Sequence, residues 1–146
     1  FGRGLKLPND KTDVTYYGYG PYESYSDKHR ASWIDRFDTT VDDMFEDYVF
    51  PQENGSHYNC QYASVGNLFA KGKKPFSFQA SRYSEKELDE KAHNFELVPS
   101  DGIYVALDYK QSGIGSNSCG PRLAEKYQLR EEKIEWEISI RFDNKN

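Results

Sequence analysis

The clearest pattern in the chain lies near its end. Ile134, Trp136, Ile138, Ile140 and Phe142 alternate with Glu135, Glu137, Ser139 and Arg141. A period of two puts the first set on one face of a β-strand and the second on the other. The apolar set is expected to face the core, where truncating a fully buried Trp136 to alanine would cost about 3–5 kcal/mol. Phe76, Phe78 and Ala80 repeat the alternation after Pro75, and Ile103, Val105 and Leu107 repeat it after the turn pair Asp101-Gly102. Val14 to Tyr17, Ser32 to Phe37 and Tyr58 to Ala63 are further strand candidates. Short strands separated by Gly, Pro, Asn and Asp turns predict an all-β sandwich or barrel. One short helix is expected from Ser84 to Ala92. Ser84 is placed to cap it, Glu87 to complete a capping box, and Leu88 and Ala92 to form a narrow apolar stripe.

Composition sharpens this picture. The chain has 146 residues, the size of a single domain, with neither an internal repeat nor a domain-sized linker. Only 36% of its residues are hydrophobic, but 16% are Phe, Trp or Tyr. Large rings let few residues build a core, and a chain so rich in them is not expected to be disordered. The net charge of -5 argues against a nucleic-acid groove, and no apolar run approaches the ~20 residues that span a bilayer. No nucleic-acid or membrane partner is therefore expected. Neither is a leader peptide visible, but a start at Phe1 suggests a fragment. The location of the parent protein stays open, with the cytoplasm as the default.

Candidate chemistry is sparse. Cys60 and Cys119 are the two cysteines, enough for one bridge but not for a disulfide framework. No C-x-x-C occurs, and His29, His57 and His93 stand at no ligand spacing, so neither a metal nor a cofactor is expected. Gly113-Ile114-Gly115 lacks the third glycine of a dinucleotide fingerprint. Ser112, Ser116 and Ser118 lack a nearby general base. Three segments stand out nonetheless. GPYESYSD (Gly20–Asp27) combines an acid with aromatic faces, YVFPQENG (Tyr48–Gly55) ends on an Asn-Gly turn, and QSGIGSNSCGP (Gln111–Pro121) is a Gly- and Ser-rich loop.

In this order the three segments resemble the C-terminal region of the large, multidomain β-galactosidases of the lactose-cleaving type. GPYESYSD is similar to the family's GPxExYxD element, YVFPQENG to its YVxPxENG element, FSFQASRYS (Phe76–Ser84) to its FSxSxxRYS run, and Asp101–Pro121 to its terminal strand and glycine-rich loop. The resemblance implies that residues 1–146 are a single-domain fragment, the C-terminal half of the enzyme's last domain. It also implies an extended β-sandwich (a supersandwich, galactose-mutarotase-like) with one short helix. The partners implied are the remaining domains, above all the catalytic barrel, and a β-galactoside substrate. The family's two carboxylates perform retaining hydrolysis from that barrel, and their motifs do not occur in this chain, so no catalytic residue is expected here. The family loop that borders the sugar site corresponds to Ser116, Asn117, Ser118 and Cys119, and Cys119 stands where many members carry a tryptophan. A thiol offers no indole face for stacking. Two other readings remain. As an independent carbohydrate-binding module the chain would use Tyr22, Tyr25 and Tyr48 for stacking. As a small subunit or interaction domain of a split β-galactosidase it would act through a separate barrel subunit.

Overall fold

A computed structural model describes residues 1–115 and 122–143. Among these residues seven strands follow the chain: β1 (Gly2–Pro8), β2 (Asp13–Gly20), β3 (Trp33–Thr40), β4 (His57–Val65), β5 (Leu68–Ser81), β6 (Gly102–Asp108) and β7 (Ile138–Phe142). All pairings are antiparallel, in the order β1-β6-β5-β4-β2-β3. β7 joins β5 beside the first half of that strand, pairing Leu68 with Phe142 and Gly72 with Ile138. β5 is thus shared: its second half, Ser77–Ser81, pairs β6 instead. The register between β4 and β5 shifts around Cys60, opposite the stretch containing Pro75, which has no N–H to give a ladder. The result is an all-β, sandwich-like open sheet with one short helix.

Alternation places the core as the sequence predicts for the central strands. Phe78 opposes Leu107 and Ala80 opposes Val105, and all four side chains are buried. Val14 and Tyr16 of β2, and Ala63 and Val65 of β4, continue the same apolar layer. Tyr16 packs against His57 with ring centres 4.3 Å apart, and against Phe78 at 5.2 Å. β1 was not evident from pattern, because Gly2, Gly4 and Pro8 leave only Leu5 and Leu7 to alternate. Its partner β6 makes it a strand.

Two expectations need correction. The final strand begins at Ile138 rather than Ile134, and its apolar face is not sealed. Ile134, Trp136 and Ile138 are half-buried, whereas Ile140 and Phe142 are 37% and 54% exposed. The faces are assigned correctly, since Ile140 and Phe142 stand opposite Ala70 and Leu68. Yet β7 has a single neighbour, and nothing among the described residues covers its outer end. The helix, α1 (Glu85–Glu90), is also shorter than expected. Ser84 Oγ does accept the Glu87 N–H at 3.0 Å. The Glu87 carboxylate, however, accepts the Val98 N–H at 2.9 Å, tying down the segment after the helix instead of completing a capping box. Ala92 lies beyond α1 and is exposed, which leaves Leu88 as the buried residue of the helix.

Candidate functional site

The segments that carry the sequence resemblance meet at one end of the sheet. GPYESYSD leaves β2 through a cis Gly20-Pro21 peptide and folds back as a tight loop, with Tyr25 and Lys28 exchanging backbone hydrogen bonds. Its centre is Glu23. This carboxylate is almost fully buried and accepts hydrogen bonds from Lys28 Nζ, the Tyr48 hydroxyl, the Gly55 N–H at 3.0 Å and, more distantly, the Tyr25 hydroxyl at 3.5 Å. Burial acts to raise its pKa, but the bonds from Lys28 and Tyr48, the Gly55 amide and the Lys28 charge outweigh it and hold the carboxyl below its usual value. The Lys28 pKa is correspondingly held up: burial lowers it, and the bonds to Glu23 and Tyr48 more than compensate.

These contacts join the first segment to the second. Ser24 strengthens the joint, its N–H donating to the Ser56 carbonyl at 2.7 Å and its hydroxyl accepting the Tyr58 N–H at 2.9 Å. Gly55 adopts φ +70°, and a Cβ there would collide with the Met44 carbonyl, so this turn position requires glycine. The Asn54 side chain is buried. Its Oδ1 accepts the Glu46 N–H at 3.0 Å and its Nδ2 donates to the Gln52 carbonyl at 2.9 Å. Asn54 is therefore committed to the turn and not free to meet a hydroxyl from outside.

The third segment docks onto the first two. Asp27 accepts the N–H groups of Ile114 and Gly115 at 3.1 and 2.7 Å. Gln111 donates through Nε2 to Asp108 at 2.8 Å and Glu53 at 3.1 Å, and accepts from the Ser56 hydroxyl at 3.4 Å. Burial raises the pKa of Asp108. Both carboxylates are thus held by one amide, and burial, followed by the Asp108 charge, raises the pKa of Glu53. The roles of Asp27, Lys28 and Gln111 were missed by sequence reasoning. The one available signal was that an Asp closing one Gly-Pro loop and the glycines of a second loop belong to the same set of matched segments.

The candidate tyrosines separate. Tyr22 is 59% exposed and Tyr48 half-buried, both beside Lys28 and His29 around a shallow depression. Tyr25 is 2% exposed, with its pKa raised first by burial and then by the Glu23 charge, so its ring offers no open face. Ser116, Asn117, Ser118 and Cys119 lie outside the described residues. Cys60 is fully buried, with its Sγ near the His57 carbonyl at 3.4 Å and its pKa raised by burial. A groove of about 750 Å³ lies on the other face of β1, β6 and β5, beside α1. Lys6 sits over the Tyr104 ring there, 5.5 Å from its centre. Among the described residues no three His, Cys, Asp or Glu side chains form a metal-binding group, and no helix is long and apolar enough to cross a membrane.

The chain is 48% identical over 143 residues to a β-galactosidase of Actinobacillus pleuropneumoniae, covering 98% of this chain and 14% of that protein. It is 43% identical to one from Staphylococcus xylosus, covering 97% and 15%, and 35% identical to one from Photobacterium profundum, covering 94% and 13%. It therefore spans about a seventh of the length of these relatives. Residues 1–142 match the family described as beta galactosidase small chain, and the chain belongs to that family.

Proposed function

We propose that this chain is the noncatalytic small-chain portion of a larger β-galactosidase that hydrolyses terminal β-D-galactosides. In this reading residues 1–146 are the C-terminal half of the enzyme's last domain. They brace the catalytic barrel and supply the rim of the sugar site through Ser116, Asn117, Ser118 and Cys119. The observation that carries the reading is the meeting of the three family-like segments at one end of the sheet, joined by Glu23, Asp27 and Gln111. The acids that could suggest hydrolysis are engaged there in holding loops together. Retaining cleavage needs two carboxyl groups roughly 5–5.5 Å apart across a bound sugar, and that chemistry belongs to the barrel. The unsealed face of β7 supports a sheet that continues under further structure of the parent protein.

The test is steady-state kinetics of the full-length enzyme with lactose and with a small synthetic galactoside. Cys119→Ser removes little apolar area and no aromatic platform, so kcat/KM should change by no more than about twofold for either substrate. Cys119→Trp adds a broad apolar face at the rim and should alter KM for lactose more than for the small galactoside. Unchanged kinetics in the tryptophan variant, with folded fractions matched, would contradict the rim assignment.

A further inference from the structure

We propose that Val49, Phe50 and Phe95 form the surface on which the remaining part of the parent β-galactosidase docks. The inference rests on the bracing role given above and names the side chains that carry it. All three are between 67% and 81% exposed. Two loops bring them together. The Asn94 N–H donates to the Val49 carbonyl at 3.1 Å, and the Asn94 side-chain amide donates to Asp47 Oδ1 at 2.9 Å. Phe95 follows directly on the residue that binds the Val49 backbone, and its ring stacks on His93 with centres 5.1 Å apart. Apolar side chains scattered singly over a surface are ordinary, whereas a contiguous set marks an interaction surface.

Both loops are fixed beside the exposed side chains. Tyr48 precedes Val49 and is bound through its hydroxyl to Glu23 and Lys28, while Pro51 follows Phe50 and is buried. In the other loop Asn94 Oδ1 accepts the Phe95 N–H at 3.0 Å, and the Glu96 carboxylate accepts the His93 N–H at 2.9 Å. Side chains carried on a fixed backbone lose little freedom on docking. Size decides what docks there. The two phenylalanine rings offer on the order of 300 Å² of apolar surface at this exposure. A stable complex between separate molecules buries about 800 Å² on each partner. So small a patch suits a neighbour joined through the same chain, whose effective concentration is on the order of millimolar. The β-galactosidases named above have such a neighbour, since the matching stretch is 13–15% of one polypeptide. Asp47 and Glu96 flank the exposed side chains, so the docking face is expected to be apolar with a basic rim.

The experiment places the double substitution Phe50→Ser with Phe95→Ser in the 146-residue chain and in the full-length enzyme. In the chain both rings already face water, so its urea midpoint should barely move. In the full-length enzyme the rings would be covered, and heat inactivation of galactoside hydrolysis should become at least about tenfold faster at unchanged subunit number. A large fall in the urea midpoint of the chain would make the rings part of its own fold and overturn the proposal. A changed subunit number in sedimentation would assign the patch to a second copy and overturn it as well. Removing residues 1–146 from the full-length enzyme separates this surface from the bracing role, which predicts loss of activity. Loss on removal, with inactivation of the double variant unchanged, overturns the surface and leaves the bracing role standing. Activity that survives the removal overturns both.

Discussion

His57 shows how strongly one side chain can couple this fold to pH. It is buried between Tyr16 and Phe78, and its Nδ1–H donates to the Tyr19 carbonyl at 3.1 Å, which fixes the neutral tautomer. Burial pushes its pKa from 6.5 down to about 4, against an opposing pull from the Tyr19 carbonyl and the Glu23 charge. The unfolded chain therefore binds this proton first as pH falls. The stabilisation is complete above about pH 6.5 and is lost between there and about pH 4, on the order of 3 kcal/mol in all. Glu23 has the same sign in a lower window, because its folded pKa lies below 4.5: its contribution is present above that value and lost as pH falls through the folded one. Urea unfolding of the chain at pH 7.5 and pH 5 should show a clear drop. In His57→Gln the starting stability should be lower, but the drop between the two pH values should nearly vanish. An equal drop in both proteins would remove His57 as its cause. The sequence marked His57 only as a histidine at no ligand spacing. Burial by residues from β2 and β5 gives it this behaviour, and no local pattern encodes that.

At the scale of elements, alternation was a good guide to face and a poor guide to burial. Phe78 and Ile140 both follow a clean period of two, yet Phe78 is fully buried and Ile140 is 37% exposed. Phe78 lies on β5, which has neighbours on both sides, whereas among the described residues β7 pairs on one side alone. Phe78→Ala should cost about 3–5 kcal/mol and Ile140→Ala less than about 1 kcal/mol in equilibrium denaturation of the chain. Comparable losses would mean that β7 is covered after all. Period fixes which side a residue faces, but cover depends on what lies beyond the strand. The same limit hid β1, whose two alternating leucines gain strand structure only from long-range pairing with β6. Ser84, by contrast, could be read directly, because a cap bonds to an amide three residues on. The box partner Glu87 could not, since Val98 competes for its carboxylate from eleven residues away.

For the molecule as a whole, the loops that resemble a galactosidase converge, while among the described residues nothing covers the outer end of β7. The matched segments were legible as ordered motifs, but the bonds that hold them together were not. Asp27 with Gly115, and Gln111 with Glu53 and Asp108, are partners of different loops that only the folded sheet brings into reach. The acids near the candidate site serve as loop anchors: Glu23 holds Lys28, Tyr48 and Gly55, Asp27 holds Ile114 and Gly115, and Glu53 and Asp108 share the Gln111 amide. Hydrolysis of a chromogenic β-galactoside by the rigorously purified 146-residue chain tests this account most directly. No turnover above the uncatalysed rate is expected at any pH at which the chain is folded. Activity that copurifies with the chain and disappears on replacing Glu23, Asp27, Glu53 or Asp108 would contradict the noncatalytic assignment.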